Sequence, residues 1–209
     1  MTIEKRRERE KEEMRELILS AAGEIIAAEG FDKLSVRKIA KKIEYSPSII
    51  YHYFNDMDEI LNNVMQRGYS KIVSAVTSAE VVGSSPEARL QEMTANYIKA
   101  ALSMPDEFIK AQLNGSKEAL KHTSFLYKGA SKENPALSAL CECLQEIYRH
   151  KKVDENTIEA TAQIIIVSTL GLIIKLIVEK DIGEEQRQRL IELYSKETVL
   201  KITDSDAIE

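Results

Sequence analysis

The residues of this chain that invite a chemical reading run from Ser46 to Phe54, Ser-Pro-Ser-Ile-Ile-Tyr-His-Tyr-Phe. In a helix, Ile50 and Phe54 share one face and leave Pro47, Ser48, Ile49, Tyr51, His52 and Tyr53 largely for solvent or a partner. The rings of Tyr51, His52, Tyr53 and Phe54 exceed what a two-turn helix needs for packing. Hydroxyls on Ser46, Tyr51 and Tyr53 can donate to phosphate oxygens. Ser48, Ile49 and His52 offer small, apolar and imidazole groups suited to base edges and thymine methyls. This is the chemistry of recognition. Bond-making chemistry has no comparable foothold: no nucleophile stands with a base, no carboxylate pair shares a predicted face, and no phosphate loop occurs, so the chain is not expected to be an enzyme. His52 has no second ligand near it in the run, and no metal or cofactor is expected.

Three helices must hold this run in place. Met14, Leu17, Ile18, Ala21, Ala22, Ile25 and Ile26 form one apolar stripe, which Gly30 ends. Ser35 can cap a second helix with Val36, Ile39, Ala40 and Ile43 inward and Arg37, Lys38, Lys41 and Lys42 outward. After a break at Glu44 and Tyr45, Ser46-Pro47 pairs a cap with proline at the first helical position. Two short helices with so short a link have the layout of a helix-turn-helix. Asp56 and Glu59 then open a long fourth helix in the manner of a capping box, and that helix should join two parts of the protein.

The remainder also reads as helices, with no strand-like alternation. Gly83-Ser84-Ser85-Pro86 is the clearest internal turn, short helices follow Pro105, Asn134-Pro135 opens another helix, and two more run from about Asp154 to Lys180 and from Glu184 to Thr198 before a frayed tail at Asp204 to Glu209. The expected fold is all-α, with a three-helix DNA-binding domain over 1–60 and a larger helical domain over 61–209.

Composition supports a folded chain of 209 residues, with 44% hydrophobic and 30% charged residues. The formal net charge of −5 and a pI near 5.5 argue, as averages, against a nucleic-acid partner. Counted locally the balance reverses. Lys33, Arg37, Lys38, Lys41 and Lys42 face a single acid, Glu44, which makes the stretch from Lys33 to Phe54 net +4. Met1 to Lys11 is net +2, and this mixed-charge run reads first as a solvated helix start, with a flexible arm near DNA as the alternative. Cys141 and Cys143 are too few for a disulfide framework and fit a reducing cytoplasm as ordinary helix residues, ahead of a metal or redox pair with His150. The longest weakly polar stretch, Ala160 to Ile174, is about 15 residues against roughly 20 for a membrane span, so no span is expected.

Residues 14 to 65 resemble the DNA-binding segment of the tetracycline-repressor (TetR) family of transcription regulators. The resemblance is carried by the Ile18 to Ile26 helix, Glu29-Gly30-Phe31, Ser35-Val36-Arg37-Lys38-Ile39-Ala40, Ser46 to Phe54, and Asp58-Glu59-Ile60-Leu61. It implies that Ser35 and Arg37 meet the backbone or a base, with Lys38 beside them. It implies equally that Ser46, Tyr51 and Tyr53 anchor phosphates while Pro47, Ser48, Ile49 and His52 face the major groove. Two positions depart from the family pattern. Glu44 replaces a turn glycine, which suggests a turn without a positive φ angle. Met57 replaces a lysine near the start of the fourth helix, leaving that phosphate to the helix amides.

In the body, Ile164 to Val178 is apolar nearly all round and must be buried on more than one side. A two-fold homodimer is expected, built from this helix and the one opening at Pro135 as a four-helix bundle, with a central core helix in a monomer as the alternative. The resemblance implies the same dimer, and a small-molecule effector that wedges the helices between Ser85 and Gly129 and releases a palindromic double-stranded DNA operator. Tyr97, Met104, Phe108, Asn114, His122, Phe125 and Tyr127 are candidate lining residues, although for each singly ordinary core packing is the better reading. The rival readings are an all-helical enzyme or carrier, and an activator on the same fold.

Overall fold

The computed structural model of the chain describes residues 3–79 and 85–203. The expected turn at Gly83 and Ser84, the first two residues, and the tail from Asp204 lie outside the described residues. Within them the regular elements are all helical: α1 (Ile3–Glu29), α2 (Val36–Lys42), α3 (Pro47–Tyr53), α4 (Met57–Thr77), α5 (Pro86–Leu102), α6 (Pro105–Gln112), α7 (Lys117–Thr123), α8 (Pro135–Ile147), α9 (Glu155–Val178), α10 (Glu184–Leu193) and α11 (Val199–Ile202). A π-helical turn, Tyr194–Thr198, joins the last two.

Local chemistry starts these helices where side chains can accept the orphan amides of the first turn. Ser35 Oγ accepts from Lys38 N at 3.3 Å, Ser85 Oγ from Ala88 N at 3.3 Å and Asn134 Oδ1 from Leu137 N at 3.0 Å. Asp154 Oδ1 accepts from Asn156 N at 2.9 Å and Thr157 N at 3.2 Å. Proline fills the first helical position of α3, α5 and α8. The mixed-charge N-terminal run is the regular first half of α1, with Arg6–Glu10 at 2.8 Å and Arg9–Glu13 at 3.3 Å along its solvated side, so the reading as a flexible arm is corrected.

The chain forms two compact units. The first contains residues up to Tyr69 together with Asp106–Thr123, and the second contains Ser70–Pro105 and the chain from Ser124 onward, so α4 contributes to both. The core of the first unit joins α1, α2, α3 and the start of α4 through Ile18, Ala22, Ile39, Ile50, Phe54 and Ile60. Burying groups such as Ile50 and Phe54 contributes about 1.5 to 3 kcal/mol each. The inward stripe of α1 is shifted from the expected one: Leu17 is exposed, while Leu19 and Gly23 are buried. The reason is a second covering element. A Cβ on Gly23 would lie 3.5 Å from Oε1 of Glu107 on α6, and Lys110 of α6 donates to the Ile26 carbonyl at 3.0 Å and also to that of Ala27.

The second unit is centred on α5, α8 and α9, with Leu90, Leu137, Leu144, Ala162 and Ile165 at its core. By length and composition α9 could cross a membrane, yet Ile158, Ala162, Ile165, Ile173 and Leu176 are buried inside this unit. It is also longer than the weakly polar stretch suggested. Its other side is open: Ile164, Val167 and Val178 are 56%, 45% and 58% exposed. On a single chain, therefore, α9 is buried on one side only.

Candidate nucleic-acid interface

The turn into α3 is built by α2. Tyr45 N donates to the Ala40 carbonyl at 2.9 Å and Glu44 N to that of Lys41 at 3.3 Å, the paired bonds of a Schellman ending with Glu44 at its left-handed position. Glu44 has φ 60°, so the expectation of a turn without positive φ is overturned. The helix ending demands that conformation whether or not glycine supplies it. Ser46 then stands in extended backbone ahead of Pro47, and its hydroxyl lies 2.7 Å from that of Ser48 rather than on an α3 amide.

The first turn of α4 fixes the other end. Asp56 Oδ1 accepts from Glu59 N at 2.7 Å. The return bond reaches one residue further than in a simple capping box, because Glu59 Oε2 accepts from Asn55 N at 2.8 Å and from Asn55 Nδ2 at 2.9 Å. The Asn55 amide holds the Glu59 carboxyl below its ordinary range, and Arg15 adds to the effect. Met57 packs against the core of the unit.

Between these ends α3 buries Ile50 and exposes Pro47, Ser48, Tyr51 and His52, with Tyr51 60% exposed. Ile49 and Tyr53 are half-buried against the core, more enclosed than their sequence positions suggested. They lie one position before Ile50 and Phe54, so they flank the buried stripe. The His52 and Tyr53 rings meet edge to face at 5.1 Å. On α2, Arg37 and Lys41 are exposed. Two of the expected cations already have partners on α1: Lys42 pairs with Glu24 at 2.7 Å, and Lys38 pairs with Glu29. The Lys38 bond is the main reason the Glu29 carboxyl sits below its usual range. The hydroxyl of Ser35 caps α2 through its oxygen, which leaves its proton available to a further acceptor.

Arg15 of α1, absent from the sequence-based site, spans this region. Its guanidinium donates to the Tyr53 carbonyl, lies 4.1 Å from the centroid of the Phe54 ring and meets Glu59 Oε1 at 3.3 Å. Partners 38 and 44 residues away along the chain leave no local signal.

The other candidates divide between the units. Phe108, Asn114 and His122 belong to the first, and Tyr97, Met104, Phe125 and Tyr127 to the second. The His122 ring lies 6.2 Å from that of Tyr69, and burial, followed by the Lys121 charge, lowers its pKa. Burial raises that of the Tyr97 phenol. Asn114 Oδ1 accepts from Ser116 N at 2.9 Å, and Tyr127 donates to Glu133 at 2.8 Å. Cys141 and Cys143 are buried, which pushes both thiols up to about 11 and keeps them protonated at neutral pH.

A capped two-turn helix, a left-handed turn and a proline-started helix with an exposed polar and aromatic face define a helix-turn-helix protein. Residues 18–64 match the family model for bacterial regulatory proteins of the tetR family. The chain is 26% identical over 148 residues to an uncharacterized HTH-type transcriptional regulator, YuxN, of Bacillus subtilis, a match covering 70% of this chain and 50% of that one. A Haemophilus influenzae HTH-type transcriptional regulator is 33% identical over 66 residues, covering 32% and 35%. The chain thus spans half or less of the length of these relatives. The solved structure of the fatty acid degradation regulator FadR from Bacillus halodurans shares the fold, with a TM-score of 0.69 at 20% identity over 90% of this chain and 94% of that one. Residues 18–64 are thus similar to the tetR family of bacterial regulatory proteins, and most of the chain shares the fold of solved regulators of that family.

Proposed function

We propose that this chain is a ligand-responsive, DNA-binding transcriptional regulator, a repressor that acts in the cytoplasm and binds a palindromic double-stranded operator as a homodimer until a small-molecule effector releases it. The observation that carries the reading is the α3 face, where Ser48, Tyr51 and His52 are exposed on a helix anchored from behind by Ile50, while Arg37 and Lys41 are exposed on α2, which packs against α3. Ser46, Tyr51 and Tyr53 serve phosphates. Pro47, Ser48, Ile49 and His52 serve the major groove, with Ser35, Arg37 and Lys38 at the entry to α2. Residues 1–60 supply the reading domain, and 61–209 supply the sensing and dimerising helices, of which α6 and α7 pack in the compact unit of the reading helices.

The dimer reading rests on the open side of α9. Ile164, Val167, Gly171, Ile174 and Val178 recur at steps of three and four, a seam that a second copy can cover. A two-fold dimer would set two reading helices about one DNA turn apart, roughly 34 to 36 Å. Effector contacts are proposed at Tyr97, Met104, Phe125 and Tyr127 in one unit and at Phe108, Asn114 and His122 in the other. Fatty acids are the first compounds to screen, because the Bacillus halodurans protein is named as a fatty acid degradation regulator.

Replacing Tyr51 and His52 with alanine tests the central reading. Both side chains are exposed, so the fold should survive with an unchanged circular dichroism spectrum while a DNA duplex selected by the wild-type chain is no longer retained in a gel shift. Undiminished retention would sink the reading.

A further inference from the structure

α3 has only seven residues, too few to hold an angle by its own hydrogen bonds, so its orientation depends on what grips it. Ile50 and Phe54 grip the middle and the end from beneath. The last turn has a second anchor in Arg15. Its guanidinium donates to the carbonyl of Tyr53, the final residue of α3, and covers the Phe54 ring at 4.1 Å. Its Nη2 reaches Glu59 Oε1 at 3.3 Å, and the other oxygen of Glu59 accepts from the Asn55 backbone at 2.8 Å. One side chain thus ties together the end of α3, the intervening turn and the first turn of α4. A cation at a helix C-terminus is favoured by the carbonyl dipoles, and a planar fork can serve a carbonyl, a carboxylate and a ring face together, which an ammonium cannot. The side chain is only 23% exposed, and its donors point at protein groups.

We propose that Arg15 is a positioning residue for sequence reading, an inference that rests on the DNA-binding function proposed above. It locks the end of α3 to the start of α4, so that the base-facing side chains meet the groove at one angle, and it does so without touching nucleic acid. Base-edge hydrogen bonds fall off steeply with misalignment, whereas phosphate contacts made by point charges tolerate it. Loss of the anchor therefore acts on discrimination.

The test uses the full chain, a duplex selected by the wild-type protein from a random pool, and a scrambled duplex of the same composition. With Arg15→Met the ratio of the two affinities should fall about tenfold, the loss of roughly one base contact, while the salt slope on the scrambled duplex stays as in the wild type. Arg15→Lys, which keeps the charge but not the fork, should show the same fall. Equal losses on both duplexes with a slope shallower by about 0.9 would make Arg15 a phosphate contact and overturn the proposal, as would an unchanged ratio. If Arg15→Met melts below the assay temperature, Arg15→Lys and Glu59→Gln carry the same test, and an unchanged ratio in both overturns it. A wild-type chain that selects no duplex fails at the earlier step and removes the DNA-binding reading itself.

Discussion

Glu44 holds a left-handed backbone conformation, φ 60°, between α2 and α3. For a residue with a Cβ this costs about 1 to 2 kcal/mol, while glycine adopts it freely at the expense of a more flexible unfolded chain. Its backbone amide would keep its bond to the Lys41 carbonyl after substitution. Glu44→Gly should therefore raise stability by about 0.5 to 1 kcal/mol, read as a higher midpoint in thermal melting. A lower midpoint would mean that the carboxylate, the only acid among five cations from Lys33 to Phe54, stabilises the fold by more than the strain costs. The φ of Glu44 is not legible in the sequence for a physical reason: a helix ending constrains backbone angles, and residue type reveals them only when glycine is present. The capping serines, asparagine and aspartate were legible because each acts within three residues of itself. Arg15 was not, because a long side chain chooses its partners in three dimensions.

At the scale of elements, the helices and most of their limits followed from apolar spacing and caps, while the way they are grouped did not. α6 and α7 fall in the stretch expected to sense ligand, yet they pack in the compact unit that holds the reading helices, where Lys110 satisfies two carbonyls of the last turn of α1. No periodicity reports a contact across 84 residues. A similar long-range device holds the segment before α8. Glu159 of α9, a buried carboxylate, accepts from Gly129 N at 2.7 Å and Ser131 N at 2.8 Å, and those amides hold its pKa down. One helical turn on, Gln163 donates to the carbonyls of Phe125 at 2.7 Å and Tyr127 at 3.1 Å. Because the folded pKa lies below the unfolded value, the stabilisation is fully present above about pH 4.3 and is lost as pH falls through the folded pKa. Glu159→Gln should cost about 2 kcal/mol near neutral pH, and the gap to the wild type should close in acid. Denaturant unfolding over a series of pH values from 7 downward measures this; a gap that does not narrow as pH falls would assign the loss to packing instead.

For the whole molecule the charge distribution and the open face of α9 have to be considered together. The chain is acidic on average, and Lys38 and Lys42 are engaged by Glu29 and Glu24, so the proposed reading face offers fewer exposed cations than a residue count suggests. A single head of this kind would bind weakly, and pairing two heads is what raises affinity for a palindromic site. The pairing surface proposed is the seam of α9, where a Cβ on Gly171 would meet nothing within 4 Å among the described residues and a partner helix would have room to approach. Ile164 and Val167 are exposed on that seam and contribute little to the chain's own core, so charges placed there should spare the fold. Ile164→Lys combined with Val167→Lys should therefore sediment as a folded species of 23.6 kDa where the wild type sediments at twice that mass. The same variant should lose most of its retention of a selected palindromic duplex, with Tyr51 and His52 untouched. A wild-type chain that sediments as a monomer would end the dimer proposal, and a double variant that still dimerises would move the interface to another face.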